Sequence, residues 1–419
     1  MNLQDVDVAV IGAGPAGMAA AIKAREAGAD KVIIMERAEE LGGLLHQCVH
    51  NGFGLLYFNQ DLTGPEYGHR FIEKVMDSGV TPLLETMVVR LGDNREIGAV
   101  NVREGFINFR PRSVVLAMGC RERSRGALNI PGSRPAGVLT AGTAQRFVNV
   151  EGFLPGKRIV ILGSGDIGMI MARRLTLEGA RVEAVVEILP YVGGLIRNEV
   201  QCLHDFEIPL FLEHTVTHIH GEERVNAVTI AKVDKNRVPV AGTERTISCD
   251  TLLLSAGLIP ENELSIMAGV YLDPVTGGAF VDETRQTTVP GVFAGGNVLH
   301  VHDLVDNVSW ESELAGESAA RFAMDETKRA EGKVRIKAGE NIRYVVPQVI
   351  SGQQEATLYM RVSEPREKVR IKVGDVLTKG IRAVKPSEML KIELSGDTLK
   401  KLSGDTGELI VDCEKRGGK

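Results

Sequence analysis

Two glycine clusters of identical spacing, 151 residues apart, constrain this 419-residue chain more than any other feature. Gly12, Gly14 and Gly17 form G-x-G-x-x-G, and Gly163, Gly165 and Gly168 form it again. Glu36, Gly42, Gly43 and Leu44 recur at the same offset as Glu187, Gly193, Gly194 and Leu195. Seven identities at one offset mark an internal duplication. Each cluster lies between an apolar run and a helical pattern. The first copy reads strand 6–12, helix from Pro15 to about Ala27 capped by Gly28, and strand 31–36. The second reads strand 158–163, helix 167–178 and strand 181–187. Both are βαβ units, and the fold class they predict is α/β with two Rossmann-like domains.

The spacing has a chemical reason. The first glycine permits a tight turn, the second lets backbone approach a pyrophosphate, and the third lets helix and strand pack closely. Pro15, Ala16 and Gly17 then begin a helix whose N-terminus faces phosphate charge. Glu36, ending the next strand, is placed to accept hydrogen bonds from ribose hydroxyls. In the second copy Asp166, Ile167 and Gly168 begin the helix. Glu187 stands where a basic residue would meet a 2′-phosphate, which favours NAD over NADP. A lone motif of this kind is often only a glycine turn; strand, helix, acid and duplication together oppose that reading.

Other segments fill in the organisation. SVVLAMG, ending at Gly119, and TLLLSAG, ending at Gly257, each read as a buried strand closing one unit. Residues 81–109 and 216–247 alternate like short antiparallel meanders. A helix is expected from Val308 to about Ala330. Beyond it the charge changes: residues 331–419 hold 18 Lys and Arg against 13 Asp and Glu, a balance of +5. Their alternating runs predict a small β-rich domain, a sandwich, whose Lys and Arg are read first as solvated on its strand faces and alternatively as a surface that docks a partner. The expected domains are 1–123 with 258–330, interrupted by 124–257, and then 331–419.

Composition excludes several classes. The net charge of -6 repels polyanions, so nucleic acid is not an expected partner. No apolar run approaches the roughly 20 residues of a membrane span, and the N-terminus lacks a signal-peptide pattern, so a cytoplasmic location is expected. The five cysteines include no C-x-x-C pair, which argues against a disulfide framework or zinc site.

In motif order, residues 5–330 resemble the pyridine-nucleotide-linked flavoproteins with two dinucleotide-binding domains, the thioredoxin reductase-like superfamily. The resemblance implies FAD in the first unit, with Arg37, Gly43 and Leu44 among its contacts, and NAD(H) in the second, which Gly257 helps to close. TTVPGVFAGGN resembles the family's late flavin motif, placing Gly296 on FAD and giving Asn297 the position of the usual acid. Val88 would lie on the strand that meets adenine, and Ala117 with Gly119 at the crossover. The helix after Asp306 and Asn307, with Val308, would turn its N-terminus to the reduced flavin.

LGGLLHQCVHNGFGL, DLTGPEYGHRF and GNVLHVHDLVDNVS, with IRYVVPQ and AVKPSEMLKIEL, are similar to a narrower group. These are the flavoprotein subunits that accompany an anaerobic-type glycerol-3-phosphate dehydrogenase and a small cysteine-rich protein. That likeness implies hydride exchange with NAD(H), electron transfer to or from a partner subunit, and an oligomeric assembly.

Hydride transfer between stacked rings requires no catalytic side chain, and none is assigned. Cys48 has no sequence neighbour to pair with and reads as a packed thiol. His46, His50, His300 and His302 lie in segments expected near the flavin, but a loop histidine more often bonds backbone. His300 and His302, lacking a Cys or carboxylate companion, make a poor metal site, and no metal is expected. Two alternatives stay open: a stand-alone NADH oxidase or disulfide reductase, and a flavin-bearing structural protein within an assembly.

Overall fold

The computed structural model describes residues 3–325, 334–396, 398 and 407–416. The chain forms two compact units, Met1–Cys120 with Pro260–Lys419, and Arg121–Ile259.

In the first unit a sheet runs in the order Thr81–Leu83, Val32–Met35, Leu3–Ile11, Gly105–Leu116, Ile97–Asn101, Thr86–Leu91. Leu3–Ile11 pairs in parallel with both Val32–Met35 and Gly105–Leu116. Its side chains alternate between two cores. Val8 and Val10 pack beneath the helices Pro15–Glu26, Gly64–Asp77 and Val305–Ala323, whereas Ala9 and Ile11 pack on the opposite face. A strand covered on both faces reads as a nearly continuous apolar run, as this one does. Helix Pro15–Glu26 starts on a proline whose missing N–H loses no helical bond, and Gly28 at φ 104° follows its end. It is rich in alanine because Val305–Ala323 lies against it: a Cβ on Gly316 would collide with the backbone of Ala20. Thr63 and Glu66 form a reciprocal cap on helix Gly64–Asp77.

The second unit repeats the plan. Its parallel sheet runs Val138–Thr140, Thr251–Leu254, Arg158–Leu162, Arg181–Val186, Leu210–Phe211. Ile159 and Ile161 face the helix side, and Val160 and Leu162 face a three-stranded antiparallel sheet, His214–His220, Ala227–Lys232 and Arg245–Ser248. The C-terminal strands form two sheets, of five and three strands, around one core that holds Ile336, Leu358, Val369 and Val411. The β-rich domain expected from the sequence is present.

Most element boundaries shift by one to three residues from expectation, and two of the differences bear on the site. SVVLAMG continues the meander strand, so Gly105–Leu116 is one 12-residue strand. Its first half pairs antiparallel with Ile97–Asn101 and its second half pairs in parallel with Val292–Ala294. The late helix begins at Val305, three residues before Val308, with Asp306 in a first turn that favours an acid. Of its expected end, residues 326–330 lie outside the described residues.

Candidate functional site

The first glycine turn is shaped as its spacing requires. Gly12 has φ 98°, and a Cβ there would sit 2.5 Å from Ala117 O; a Cβ on Gly17 would overlap Gly12 O. At Gly14 the opposite holds. It is the N-cap of the helix, lacks a side-chain cap, and a Cβ on it would meet nothing within 4 Å. Open space at an uncapped helix N-terminus is where a pyrophosphate fits. Glu36 is buried, with Oε2 accepting from Ala13 N at 2.9 Å and Oε1 from Ala38 N at 3.0 Å. It braces the turn through these two backbone N–H groups. Gly43 closes in from the side, where a Cβ would lie 2.9 Å from Gly14 Cα.

The second unit reproduces this at the level of atoms. Gly163 has φ 105° and approaches Ser255 O; Gly168 approaches Gly163 O; a Cβ on Gly165 would have only Ser255 O, 3.9 Å away. Glu187 Oε2 accepts from Ser164 N at 2.8 Å, and Oε1 from Leu189 N at 2.9 Å. Glu187, Ser164 and Leu189 are the counterparts of Glu36, Ala13 and Ala38 at the same offset of 151. Two features are new: Ser164 Oγ also donates to Glu187 at 2.6 Å, and Asp166 Oδ1 accepts from Leu195 N at 2.8 Å and Asn198 Nδ2 at 2.6 Å. Asp166 thus pins the Gly193–Gly194 loop beside the turn. Both turns fit the adenosine diphosphate half of a dinucleotide.

Of the remaining residues expected at the first site, Ala117 follows the sheet and its N–H bonds Ile11 O at 2.9 Å, and Gly119 takes φ 73°. Gly257, in the second unit, takes φ 99°. Leu44 is exposed and Arg37 lies on the surface. The side chain of Val88 is buried in the core. Asn307 and Val308 are buried in the first turn of the late helix. That turn also buries Asp306, whose Oδ1 accepts from Tyr57 N at 2.7 Å while its Oδ2 has no partner. Asp306 therefore lies within the first turn of the helix, where its charge suits the positive helix end.

Asn297 uses its Oδ1 to accept from His302 N at 3.0 Å, and its amide nitrogen approaches Cys120 Sγ at 3.7 Å. The histidines beside it overturn a premise of the sequence reading, because they do have a carboxylate companion. Glu311 accepts from His300 Nε2 at 3.0 Å, His302 Nε2 at 2.9 Å, Arg285 Nε at 3.1 Å and Gly296 N at 3.1 Å. The side chains of Arg285, His302 and Glu311 are wholly inaccessible, and that of His300 nearly so. Burial lowers the His300 pKa to about 4, outweighing Glu311. Burial works to raise Glu311, yet His300, His302 and Arg285 hold it well below the usual carboxylate range. His300, His302 and Glu311 lie close enough to share a cation. Two facts oppose one: the Arg285 guanidinium occupies the same carboxylate, and neither histidine Nδ1 has the acceptor that a metal-bound imidazole needs.

Glu311 was legible in one respect. It shares a helical face with Val308 and Ala315, three residues before and four after, so an acid on a core stripe was visible. Arg285 carried no such signal. Cys48 is buried, its Sγ donates to Leu44 O at 3.3 Å, and burial pushes its pKa up to about 12. His46 bonds Leu41 O and His50 bonds Asn51 O, as loop histidines commonly do. None of the five cysteines is in a disulfide, and no helix among the described residues is long and apolar enough to cross a membrane.

The geometry agrees with what the chain resembles. An opine oxidase subunit of Agrobacterium tumefaciens (strain Ach5) is 27% identical over 348 residues, 77% of this chain and 66% of that one. The hydrogen cyanide synthase subunit HcnB of Pseudomonas protegens is 25% identical over 316 residues, 69% of this chain and 65% of that one. The chain therefore spans just under two thirds of these relatives' lengths. Thioredoxin reductase of T. acidophilum shares the fold, with TM-score 0.63 and 24% identity over 77% of this chain and 99% of that one. Residues 6–312 match the model of the pyridine nucleotide-disulphide oxidoreductases, a family that binds FAD and NAD(P)H. Both glycine turns, their bracing acids and the late Gly296 motif lie within that match, and the chain belongs to the pyridine nucleotide-disulphide oxidoreductase family.

Proposed function

We propose that this chain is an NAD(H)-dependent flavoprotein oxidoreductase that holds FAD on the first glycine turn and NAD(H) on the second, and exchanges electrons with a partner subunit. The observation that carries it is the atomic repetition of the Glu36–Ala13 brace as Glu187–Ser164, each beside an open helix N-terminus. When bound, flavin and nicotinamide supply the hydride chemistry themselves. The residues of the chain position them: Gly14 and Gly165 leave room for phosphate, and the first-turn N–H groups meet its charge. Glu36 and Glu187 present carboxylates toward ribose hydroxyls, and a buried acid at residue 187 disfavours a 2′-phosphate, hence NAD over NADP.

Two facts support a partner subunit over a self-contained disulfide reductase. Cys48 is a buried thiol held protonated, with no second cysteine near it in sequence. The opine oxidase relative and HcnB are themselves named as subunits. A glycerol-3-phosphate dehydrogenase partner, with a small cysteine-rich protein in a cytoplasmic oligomer, rests on the likeness of residues 41–55, 61–71 and 296–309. Co-expression of this chain with the proteins encoded beside it tests the reading. A stable complex that passes electrons between glycerol 3-phosphate and NAD supports it. Efficient disulfide or oxygen reduction by the isolated chain contradicts it.

A further inference from the structure

Residues 296–303, which begin with the last two residues of the TTVPGVFAGGN motif and continue past it, are held largely by side chains. Only Gly296–Val298 forms a short 3-10 turn. From the late helix, Glu311 receives Gly296 N, His300 Nε2 and His302 Nε2, and Arg285 completes its shell. From the C-terminal strands comes a second set of hooks. Arg361 Nη2 donates to Val301 O at 3.1 Å and lies 3.5 Å from Asp303, and Met389 N donates to Asp303 Oδ2 at 3.2 Å. Arg285 Nη2 donates to Thr357 O at 3.2 Å. The Tyr359 ring lies 5.7 Å from His300, 5.5 Å from His302 and 5.6 Å from the Arg285 guanidinium. Glu311 thus holds Gly296, His300 and His302 directly, and reaches the C-terminal strands through Arg285, which bonds Thr357 O, and through the histidine rings, which lie against Tyr359. Its one permanent counter-charge is Arg285.

We propose that Glu311 is a positioning residue for the flavin: it ties residues 296–303 to the C-terminal strands, and its charge, set against Arg285, fixes the field in which the flavin is reduced. This rests on the reading that FAD occupies the first turn. A buried carboxylate with four donors is rigid, and it carries a charge that a purely apolar brace would not. Replacing it with glutamine keeps the side-chain volume, sets an amide NH2 against either the Arg285 Nε–H or the Gly296 N–H, and leaves Arg285 uncompensated. The added positive charge favours the reduced, more negative flavin.

The test is the flavin midpoint potential of purified holoprotein, measured with FAD content and melting temperature for wild type, Glu311→Gln and Asp303→Asn. Asp303→Asn keeps an acceptor for Met389 N but leaves Arg361 without its ion pair. Glu311→Gln is expected to keep FAD and to raise the reduced-to-oxidised ratio at fixed potential at least tenfold, about 30 mV for a two-electron couple. Asp303→Asn is expected to shift it the same way by a smaller factor. A folded, FAD-loaded Glu311→Gln protein within twofold of wild type overturns the proposal. Should that variant fail to fold, an unchanged ratio in Asp303→Asn overturns it. Wild type that binds no FAD refutes the parent reading instead, which keeps the two failures apart.

Discussion

Glu187 holds Ser164 twice, through its backbone N–H at 2.8 Å and its hydroxyl at 2.6 Å, whereas Glu36 holds Ala13 through the backbone alone. The acid that ends the second strand of each βαβ unit is therefore a strut for the glycine turn before it is a ligand for ribose. Seen this way, the two halves of the duplication share a mechanical design that survives the divergence of most other residues.

The openness at Gly14 and Gly165 separates folding from binding. Both take extended φ and ψ that alanine accepts, and a Cβ there meets no close neighbour. Gly14→Ala is expected to weaken FAD at least tenfold, and Gly165→Ala to weaken NADH similarly while FAD is retained. Calorimetry with each nucleotide measures the affinities, and an unchanged melting temperature of the nucleotide-free protein shows that the fold is intact.

Gly316 behaves differently, because its Cβ would enter the backbone of Ala20 on the adjoining helix. Gly316→Ala should push the two helices apart and destabilise the protein by about 1–3 kcal/mol, as overpacking does. Urea denaturation provides the check.

Cys48, with its pKa pushed up to about 12 by burial, is a thiol and not a thiolate at pH 7. Cys48→Ala is expected to leave the rate of flavin reduction by NADH within twofold of wild type. Alkylation of Cys48 in the folded protein at pH 7 should be negligible by mass spectrometry.

Stability should fall on acidification, first through His300. Burial holds its folded pKa at about 4, below an unfolded value of about 6.5, so the unfolded chain binds the extra proton within that window. The contribution is complete above pH 6.5 and declines by about 3 kcal/mol as the pH falls to 4. Glu311, despite burial, is held well below its usual range by His300, His302 and Arg285, and extends the loss to lower pH. Melting temperatures from pH 7 to pH 4 test the sign, and a flat profile contradicts it.

The elements that were legible in the sequence are those with local causes. A glycine at φ near 100°, a proline opening a helix and apolar residues alternating between two cores all leave a mark within a few positions. The brace from Glu36 to Ala13 was not legible, although both residues sit in the motif, because its partner is a backbone N–H. The Glu311 cluster was hidden for a different reason. Arg285, His300, His302, Glu311 and Tyr359 come from three separate segments, and only the fold brings them together. Reading His300 and His302 without Glu311 led to the premise that they lacked a carboxylate.

The central claim is that two like-built turns hold two different nucleotides whose rings exchange hydride. Anaerobic titration of the FAD-loaded protein with NADH, and separately with NADPH, followed at the flavin absorbance, tests it most directly. The account predicts full bleaching by about one equivalent of NADH, with NADPH at least tenfold less effective. An FAD-loaded protein left oxidised by NADH would contradict it.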